Sequence, residues 1–599
     1  QIYGVKSVID VKDIFNKCKD QTKNILVLGR AGIGKSTFCQ YVAYKWATGA
    51  IWSQYDLLVM IPLRSLTESR YPPLPPGTNY TLIDLVKKEY FGYGLSEKDD
   101  ELLREQFGKS RILWLLDGYD EIVQNVPEHL KYVFEQLLKT PHHIITSRPY
   151  LNTLSYTVQL EITGFTDDNI AEYVKQFFDQ TGDTTSVDQK LLSFLKLNPS
   201  IWGVAHIPIN LELICSIWCD TDWSETKTLT ITALYDSITE WLCRRYLTKQ
   251  NVDIQMTKED IYADCQKELT FLETLAFKGM ENNTIILRKD LLQKTFKETD
   301  YSSKHYARLL NIGILKSIND QSIGNKIEVQ KDHYFIHLSF QEHFAARYLV
   351  KALNGPGCQT AIEFIQTHKY NQRFQLVFIF TSGLLIQTDT ESCVDTFWEI
   401  ILGEPLDLVG LRHTQLIMSC MEETMSSSHF HRRTELMDSI TKAIITAVSM
   451  KHDIIYRQLQ EPLRRSTTLV DDSTIQNTLI KLLESEELST KRNVLTLISQ
   501  LPISNPSSQL IHLLLLHVGG EHWYIRKLAC NTLENIGEKA ANDDVMNKLM
   551  AALQDESSDI RASACSALRK MGEKATAAGV INSLMTALED ANESVRREA

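Results

Sequence analysis

The 599-residue chain has no C-x-x-C pair, no apolar run long enough to cross a bilayer and no surplus of positive charge. Its eleven cysteines are scattered singly, and the closest two, Cys215 and Cys219, would stand one helical turn apart. A chain this long builds its core without staples, so the pattern argues against a disulfide scaffold and for a reducing, cytoplasmic compartment. The longest apolar stretch, Phe374 to Ile386, is broken by Gln375 and by Thr381-Ser382-Gly383. It falls short of the ~20 residues that cross ~30 Å of hydrocarbon, and reads as buried helix rather than a membrane span. No apolar segment follows Gln1-Ile2-Tyr3-Gly4-Val5-Lys6, so no secretory signal is predicted. There is no initiator Met, and the final residues stop inside an amphipathic pattern, as expected of a sequence cut at both ends. Lys and Arg number 63 against 75 Asp and Glu, a net charge of −12, which disfavours nucleic acid as a partner. Cys420, His429 and His431 fit no metal-finger spacing and lack a fourth ligand.

The chemistry begins at residues 24–40. Ile25-Leu26-Val27-Leu28 has the length of a buried strand, Gly29-Arg30-Ala31-Gly32-Ile33-Gly34-Lys35-Ser36 is a glycine-rich loop, and Thr37-Phe38-Cys39-Gln40 can begin a helix. This is the G-x-x-x-x-G-K-[ST] phosphate loop in its strand, loop and helix setting. Glycines at 29, 32 and 34 permit positive φ and close approach, so that backbone N–H groups along the loop converge on phosphate oxygens. Lys35 adds a point charge for the β- and γ-phosphates, and the Ser36 hydroxyl can ligate Mg²⁺.

Two further strands are predicted at Tyr55 to Leu63 and Arg111 to Leu116, the second ending on Asp117-Gly118-Tyr119-Asp120-Glu121. A carboxylate at the tip of a buried strand is costly unless a cation meets it, and beside a phosphate loop that cation is Mg²⁺, which Asp117 would hold through water. Asp120 or Glu121, one turn on, could polarise the attacking water. A fourth strand, His143 to Thr146, runs into Ser147-Arg148-Pro149 and leaves Arg148 at the same sheet edge, placed to sense or neutralise phosphate charge. These elements predict an α/β P-loop NTPase domain with a parallel sheet of the ASCE type.

Beyond Gly164-Phe165-Thr166 the pattern turns helical. Thr166 can cap a helix whose apolar face is Ile170, Tyr173, Val174, Phe177 and Phe178, and Pro208 suits the first position of another. Ile314 to Ile318 and Lys326 to Gln330 flank a Gly/Asn/Asp turn and predict a hairpin, which after helices makes a winged helix. Residues 351–470 read as helices without a chemical motif. The last stretch repeats: Ile525-Arg526-Lys527-Leu528-Ala529 aligns with Ile560-Arg561-Ala562-Ser563-Ala564 and Val595-Arg596-Arg597-Glu598-Ala599, a period of 561 − 526 = 35 and 596 − 561 = 35. Paired helices repeated at this spacing stack into a solenoid with a long surface for partners. Weaker traces near Lys491 to Pro502 suggest a further unit upstream.

The phosphate loop, the Asp-Gly-x-Asp-Glu form of residues 117–121 and Thr146-Ser147-Arg148-Pro149 together resemble the NACHT branch of the STAND signalling ATPases, to which the NOD-like receptors belong. The apolar-x-Arg-x-x-Ala pattern of the tail resembles HEAT repeats, where better-known NACHT proteins carry leucine-rich ones. The resemblance implies a lid proline at Pro208 beside the nucleotide base. It also implies that His337, in Phe335-Ile336-His337-Leu338-Ser339-Phe340, touches the β-phosphate of ADP in a closed form. It implies a slow Mg²⁺-dependent ATPase that closes with ADP, opens on exchange for ATP, and self-assembles as a homo-oligomer when a protein partner engages the repeats. The expected division is a lead-in helix at 1–22, nucleotide domain 23–165, helical lid 166–235, winged helix 236–350, helical linker 351–470 and truncated HEAT repeats 471–599. A HEAT-repeat scaffold with structurally bound nucleotide is the alternative; a metabolic kinase would need an acceptor pocket that no motif supplies.

Overall fold

Runs of β-branched and aliphatic residues with no charge inside them become central strands, and they do so here. In the computed structural model of the protein, β1 (Lys23–Gly29), β2 (Leu57–Pro62), β3 (Ile112–Asp117), β4 (His142–Ser147) and β5 (Val158–Ile162) form one sheet in the order β2-β3-β4-β1-β5. All four pairings are parallel. The structure describes the chain outside residues 1–7, 19–22, 30–31, 69, 92–94, 124–125, 149–155, 182–185, 219–228, 250–255, 318–329, 388–390, 408–410, 425–431, 450–452 and 573–577. Arg30, Ala31, Pro149, His429, His431 and all but the last residue of the predicted strand Lys326–Gln330 therefore lie outside the described residues.

The sheet is buried on both faces, as parallel sheets are. Leu26, Ile61, Trp114, Leu116 and Ile145 pack on one side, and Ile25, Val27, Leu113, Leu115 and Ile144 on the other. Inserting β4 between β1 and β3 brings its C-terminal end between the phosphate loop and Asp117, the arrangement of an ASCE-type P-loop domain. The predicted lead-in helix is a 3-10 helix, Val11–Lys17, begun by the Asp10 carboxylate and buried through Ile14 and Phe15. β5 was not among the predicted strands; it is an edge strand of Val-Gln-Leu-Glu-Ile alternation that joins β1.

The chain divides into two compact units: residues 1–192, 204–225 and 235–348 in one, and 193–203, 226–234 and 349–599 in the other. In the first, helix α1 (Lys35–Ala47) follows the phosphate loop and α2 (Tyr119–Ile122) follows β3. Helix α3 (Asp167–Thr181) begins behind Thr166, whose hydroxyl accepts the Asn169 N–H at 3.2 Å, and α4 (Pro208–Trp218) begins on its proline. Helix α5 is Ile231–Thr248. A two-stranded hairpin pairs β6 (Leu315–Ser317) antiparallel with β7 (His333–Phe335). The bulky Tyr334-Phe335 pair has a strong strand preference, and Leu315 registers with Phe335. Helix α6 (Leu338–Leu353) follows directly.

The second unit is helical. Its helix α7 (Leu411–Thr424) ends on two buried carboxylates that cap other helices. Glu423 accepts the Ile231 and Thr232 N–H groups at 3.2 and 2.9 Å, and Glu422 accepts those of Thr468 and Leu469 at 3.4 and 3.3 Å. Both carboxylates thus meet helix N-termini, where negative charge is favoured. Four helix pairs complete the chain: α8 and α9 (Ser473–Leu483, Leu488–Ile498), α10 and α11 (Ser508–Val518, Trp523–Ile536), α12 and α13 (Asp543–Ala552, Ser558–Arg569), and α14 and α15 (Ala578–Ala587, Glu593–Glu598). First helices begin at 473, 508, 543 and 578 and second helices at 488, 523, 558 and 593, each step being 35 residues. The upstream trace at Lys491 to Pro502 is thus a full unit. Successive units are pinned by a ladder in which Arg526 clasps Asp555 at 2.8 and 3.0 Å, and Arg561 clasps Asp590 at 2.6 and 2.9 Å. No helix among the described residues is long and apolar enough to cross a membrane.

Candidate functional site

The loop between β1 and α1 needs its glycines for different reasons. Gly32 and Gly34 sit at φ +66° and +105°, where other residues are strained. Gly29 instead lacks room: a Cβ there would lie 2.7 Å from Ile33 and 3.1 Å from Lys35. Lys35 folds back so that its Nζ donates to the Gly29 carbonyl at 2.9 Å. Burial lowers its pKa, opposed by the negative charges of Asp120, Glu121 and Asp117. A low-dielectric ammonium held among carboxylates at a helix N-terminus suits an anionic guest.

Asp117 ends β3 buried and fully engaged. Its Oδ2 accepts the Ser36 hydroxyl at 2.6 Å and its Oδ1 accepts the Thr146 hydroxyl at 2.8 Å. The Thr146 hydroxyl in turn accepts the Gly118 N–H at 2.9 Å. Sequence reasoning gave Thr146 no role; only the pairing of β3 with β4 brings it to Asp117. The hydroxyl and carboxylate of Ser36 and Asp117 form an oxygen donor pair of the kind Mg²⁺ takes, with its remaining positions left to water and phosphate. The residues present therefore fit a Mg-nucleotide.

The two following acids separate into different environments. Asp120 is wholly buried and paired with Arg148, Nε to Oδ2 at 2.9 Å, while the Arg148 amide donates to its Oδ1 at 3.1 Å. Both Asp120 oxygens thus face Arg148. The Glu121 carboxyl is pushed up to about 7, first by burial and then by Asp120 beside it, with Arg64 opposing. A base poised near neutrality is what general-base chemistry calls for. Gly118, at φ +85°, makes the turn, and a Cβ there would crowd the Glu121 carboxyl carbon at 3.1 Å. Arg64, beside β2, was also missed; besides its charge effect on Glu121, it stacks on the Tyr334 ring at 5.2 Å.

His337 and Ile207 reach the same loop, and Pro208 follows Ile207 at the start of α4. A Cβ on Gly32 would lie 2.1 Å from His337 Nε2 and 3.0 Å from Ile207, the residue before Pro208. Gly164, at φ +91°, lies against the His206 carbonyl and Ile33, and the Phe165 N–H donates to that carbonyl at 2.9 Å. The loop, the start of α4 and the start of α6 thus meet at Gly32. Ile33 is buried against the same cluster, and Thr37 lies in the first turn of α1. Among the described residues no group of three or more His, Cys, Asp and Glu forms a separate metal cluster.

Residues 23–181 match the NACHT domain, and residues 510–599 match HEAT repeats. The chain is 25% identical over 383 residues to NACHT, LRR and PYD domains-containing protein 12 of Mus musculus, covering 58% of this chain and 32% of that protein. It is 28% identical over 222 residues to the MHC class II transactivator of Homo sapiens, covering 33% of this chain and 18% of that protein. This chain therefore spans about a third or less of the length of these curated relatives. Among solved structures, a STAND protein with a tetratricopeptide repeat sensor from Pyrococcus horikoshii aligns over 99% of this chain and 84% of its own, at 13% identity and a TM-score of 0.25.

Proposed function

We propose that this chain, which carries a NACHT domain and HEAT repeats, is a nucleotide-operated signalling switch. ADP holds it closed, and exchange for ATP opens it to self-assemble when the repeat region engages a protein partner. The observation that carries the reading is the contact of Gly32 with both His337 and Ile207. Whatever sits on the phosphate loop is felt at once by the lid and by the winged helix. A switch needs such unequal binding to two arrangements, and slow hydrolysis rather than rapid turnover.

In this reading the loop from Gly29 to Thr37, Arg30 and Ala31 included, cradles the phosphates. Lys35 would meet their charge, and Ser36 and Asp117 would hold Mg²⁺. Bound Mg-nucleotide supplies the phosphoanhydride that is cleaved. Glu121 accepts the proton of the attacking water, and Arg148, oriented by Asp120, balances the developing charge. Pro208 would face the base and His337 the β-phosphate. The working division is nucleotide domain 23–165, lid 166–235, winged helix 236–350, helical linker 351–470 and repeats 471–599, in a cytoplasmic protein.

The test is His337→Ala with ATP and Mg²⁺, followed by light scattering and by identification of the nucleotide that co-purifies. A larger assembly than wild type supports the switch. A particle of unchanged size, or purified protein with no affinity for any adenine nucleotide, overturns it. Lys35→Ala separates the scaffold alternative: lower stability with partner binding intact would favour a structural nucleotide.

A further inference from the structure

His337 ends a buried chain of hydrogen bonds that a phosphate contact alone does not require. Its Nδ1 accepts the backbone N–H of Ser339 at 3.2 Å. An amide N–H can only donate, so Nδ1 carries no proton and the neutral ring holds its proton on Nε2. Nε2 is the ring atom turned to the phosphate loop, the one a Gly32 Cβ would meet first. The Ser339 hydroxyl is hydrogen-bonded to the same Nδ1 and lies 2.6 Å from the Tyr235 hydroxyl. Tyr235 donates to Asn210 Oδ1 at 3.0 Å. With the Tyr235 proton given to Asn210 and none on Nδ1, the single Ser339 proton serves the Tyr235 oxygen and Nδ1 by turns.

The four residues come from the start of α4, from α5 and from the start of α6, and all are buried, with exposures of 3% for Asn210, 2% for Tyr235, 4% for Ser339 and 7% for His337. In such surroundings each bond is strengthened, and each group stranded without a partner is costly. Asn210 is two residues past Pro208, so a lid helix that moves takes one end of the chain with it.

We propose that Asn210, Tyr235 and Ser339 are positioning residues for His337: they hold its Nε2–H toward the phosphate loop and tie that orientation to the lid helix that begins at Pro208. Opening of the lid and withdrawal of the histidine are then one event rather than two. The proposal rests on the reading of His337 as a phosphate contact.

The experiment measures release of a fluorescent ADP analogue from the full chain in wild type, His337→Ala, Tyr235→Phe, Ser339→Ala and the Tyr235→Phe/His337→Ala double variant. Tyr235→Phe and Ser339→Ala are each expected to speed release about five- to tenfold, as the loss of one buried hydrogen bond does. The double variant is expected to release no faster than His337→Ala alone, because removing the ring leaves the chain nothing to position. Nitrogen NMR of ¹⁵N-histidine-labelled protein, with the His337 signal identified by its loss in His337→Ala, is expected to show the Nε2-protonated tautomer. If His337→Ala leaves release unchanged, the phosphate reading falls and takes the proposal with it. If His337→Ala speeds release but Tyr235→Phe and Ser339→Ala do not, the positioning role alone is overturned. The same holds if Tyr235→Phe multiplies the effect of His337→Ala, or if Nδ1 proves protonated. Should Tyr235→Phe fail to fold, Ser339→Ala and the tautomer decide.

Discussion

Replacing Gly32 by alanine is expected to open the closed arrangement, and the structure gives the size of the effect. The new Cβ would lie 2.1 Å from His337 Nε2 and 2.4 Å from Cδ2. Rotation cannot absorb so close an approach, because Nδ1 is held by the amide and hydroxyl of Ser339. The ring must leave, giving up two hydrogen bonds of about 0.5–1.5 kcal/mol each. The residue also sits at φ +66°, where alanine costs about 1–2 kcal/mol. That strain is a cost to the loop itself, separate from the loss of the two histidine bonds. Opening is thus favoured by about 1–3 kcal/mol, a five- to 150-fold shift. Hydrogen exchange over Leu338–Leu353 in nucleotide-free protein reads this without the loss of phosphate affinity that the same change would bring. Gly32→Ala should exchange faster there than wild type. The Gly32→Ala/His337→Ala double variant should be scarcely more open than His337→Ala, since deleting the ring removes the two closest approaches and leaves only the Ile207 methyl at 3.0 Å. Wild-type exchange in Gly32→Ala, or additive opening in the double variant, would refute the reasoning.

Glu121→Gln should cut nucleotide hydrolysis by about 10²- to 10⁴-fold with binding retained, and wild-type hydrolysis should rise with pH as the carboxyl, pushed up to about 7, ionises; a flat profile contradicts it. Glu422 is pushed up to about 7 by burial and by Glu423, so between its ordinary 4.5 and 7 the folded state keeps a proton that the unfolded state has lost. Its contribution, roughly 3 kcal/mol, is complete below pH 4.5 and declines as pH rises through that window, so Glu422→Gln should flatten the pH dependence of exchange in Leu411–Thr424. Arg526→Ala leaves Asp555 without its clasp and should loosen Trp523–Ile536 and Ser558–Arg569 by about 2 kcal/mol, seen as faster exchange there and little change over the sheet.

The parts read correctly from sequence are those whose geometry is local. The phosphate loop states its own shape, because glycines at 32 and 34 and a helix start at Lys35 need no distant partner. The 35-residue period was legible from one arginine and one alanine per unit, and the helix starts extend it upstream to Ser473. What the residues alone left open depended on contacts across the chain. Asp120 and Glu121 are neighbours with equal claims until β4 sets Arg148 against one of them. Strand β5 could have been found, since Val158-Gln159-Leu160-Glu161-Ile162 alternates cleanly. The link from Asn210 through Tyr235 to Ser339 spans 129 residues (339 − 210) and leaves no trace in local spacing.

Strand β4 works as a ruler. Six residues long and flanked by β1 and β3, it delivers Thr146 to Asp117 and, two steps further, Arg148 to Asp120. Side chains alternate between faces, so one inserted or deleted residue within the strand would turn both to the wrong side together. Length variation among related chains should therefore collect in the turns on either side of His142–Ser147 and spare the strand itself, a constraint on gene history set by a bond count rather than by chemistry.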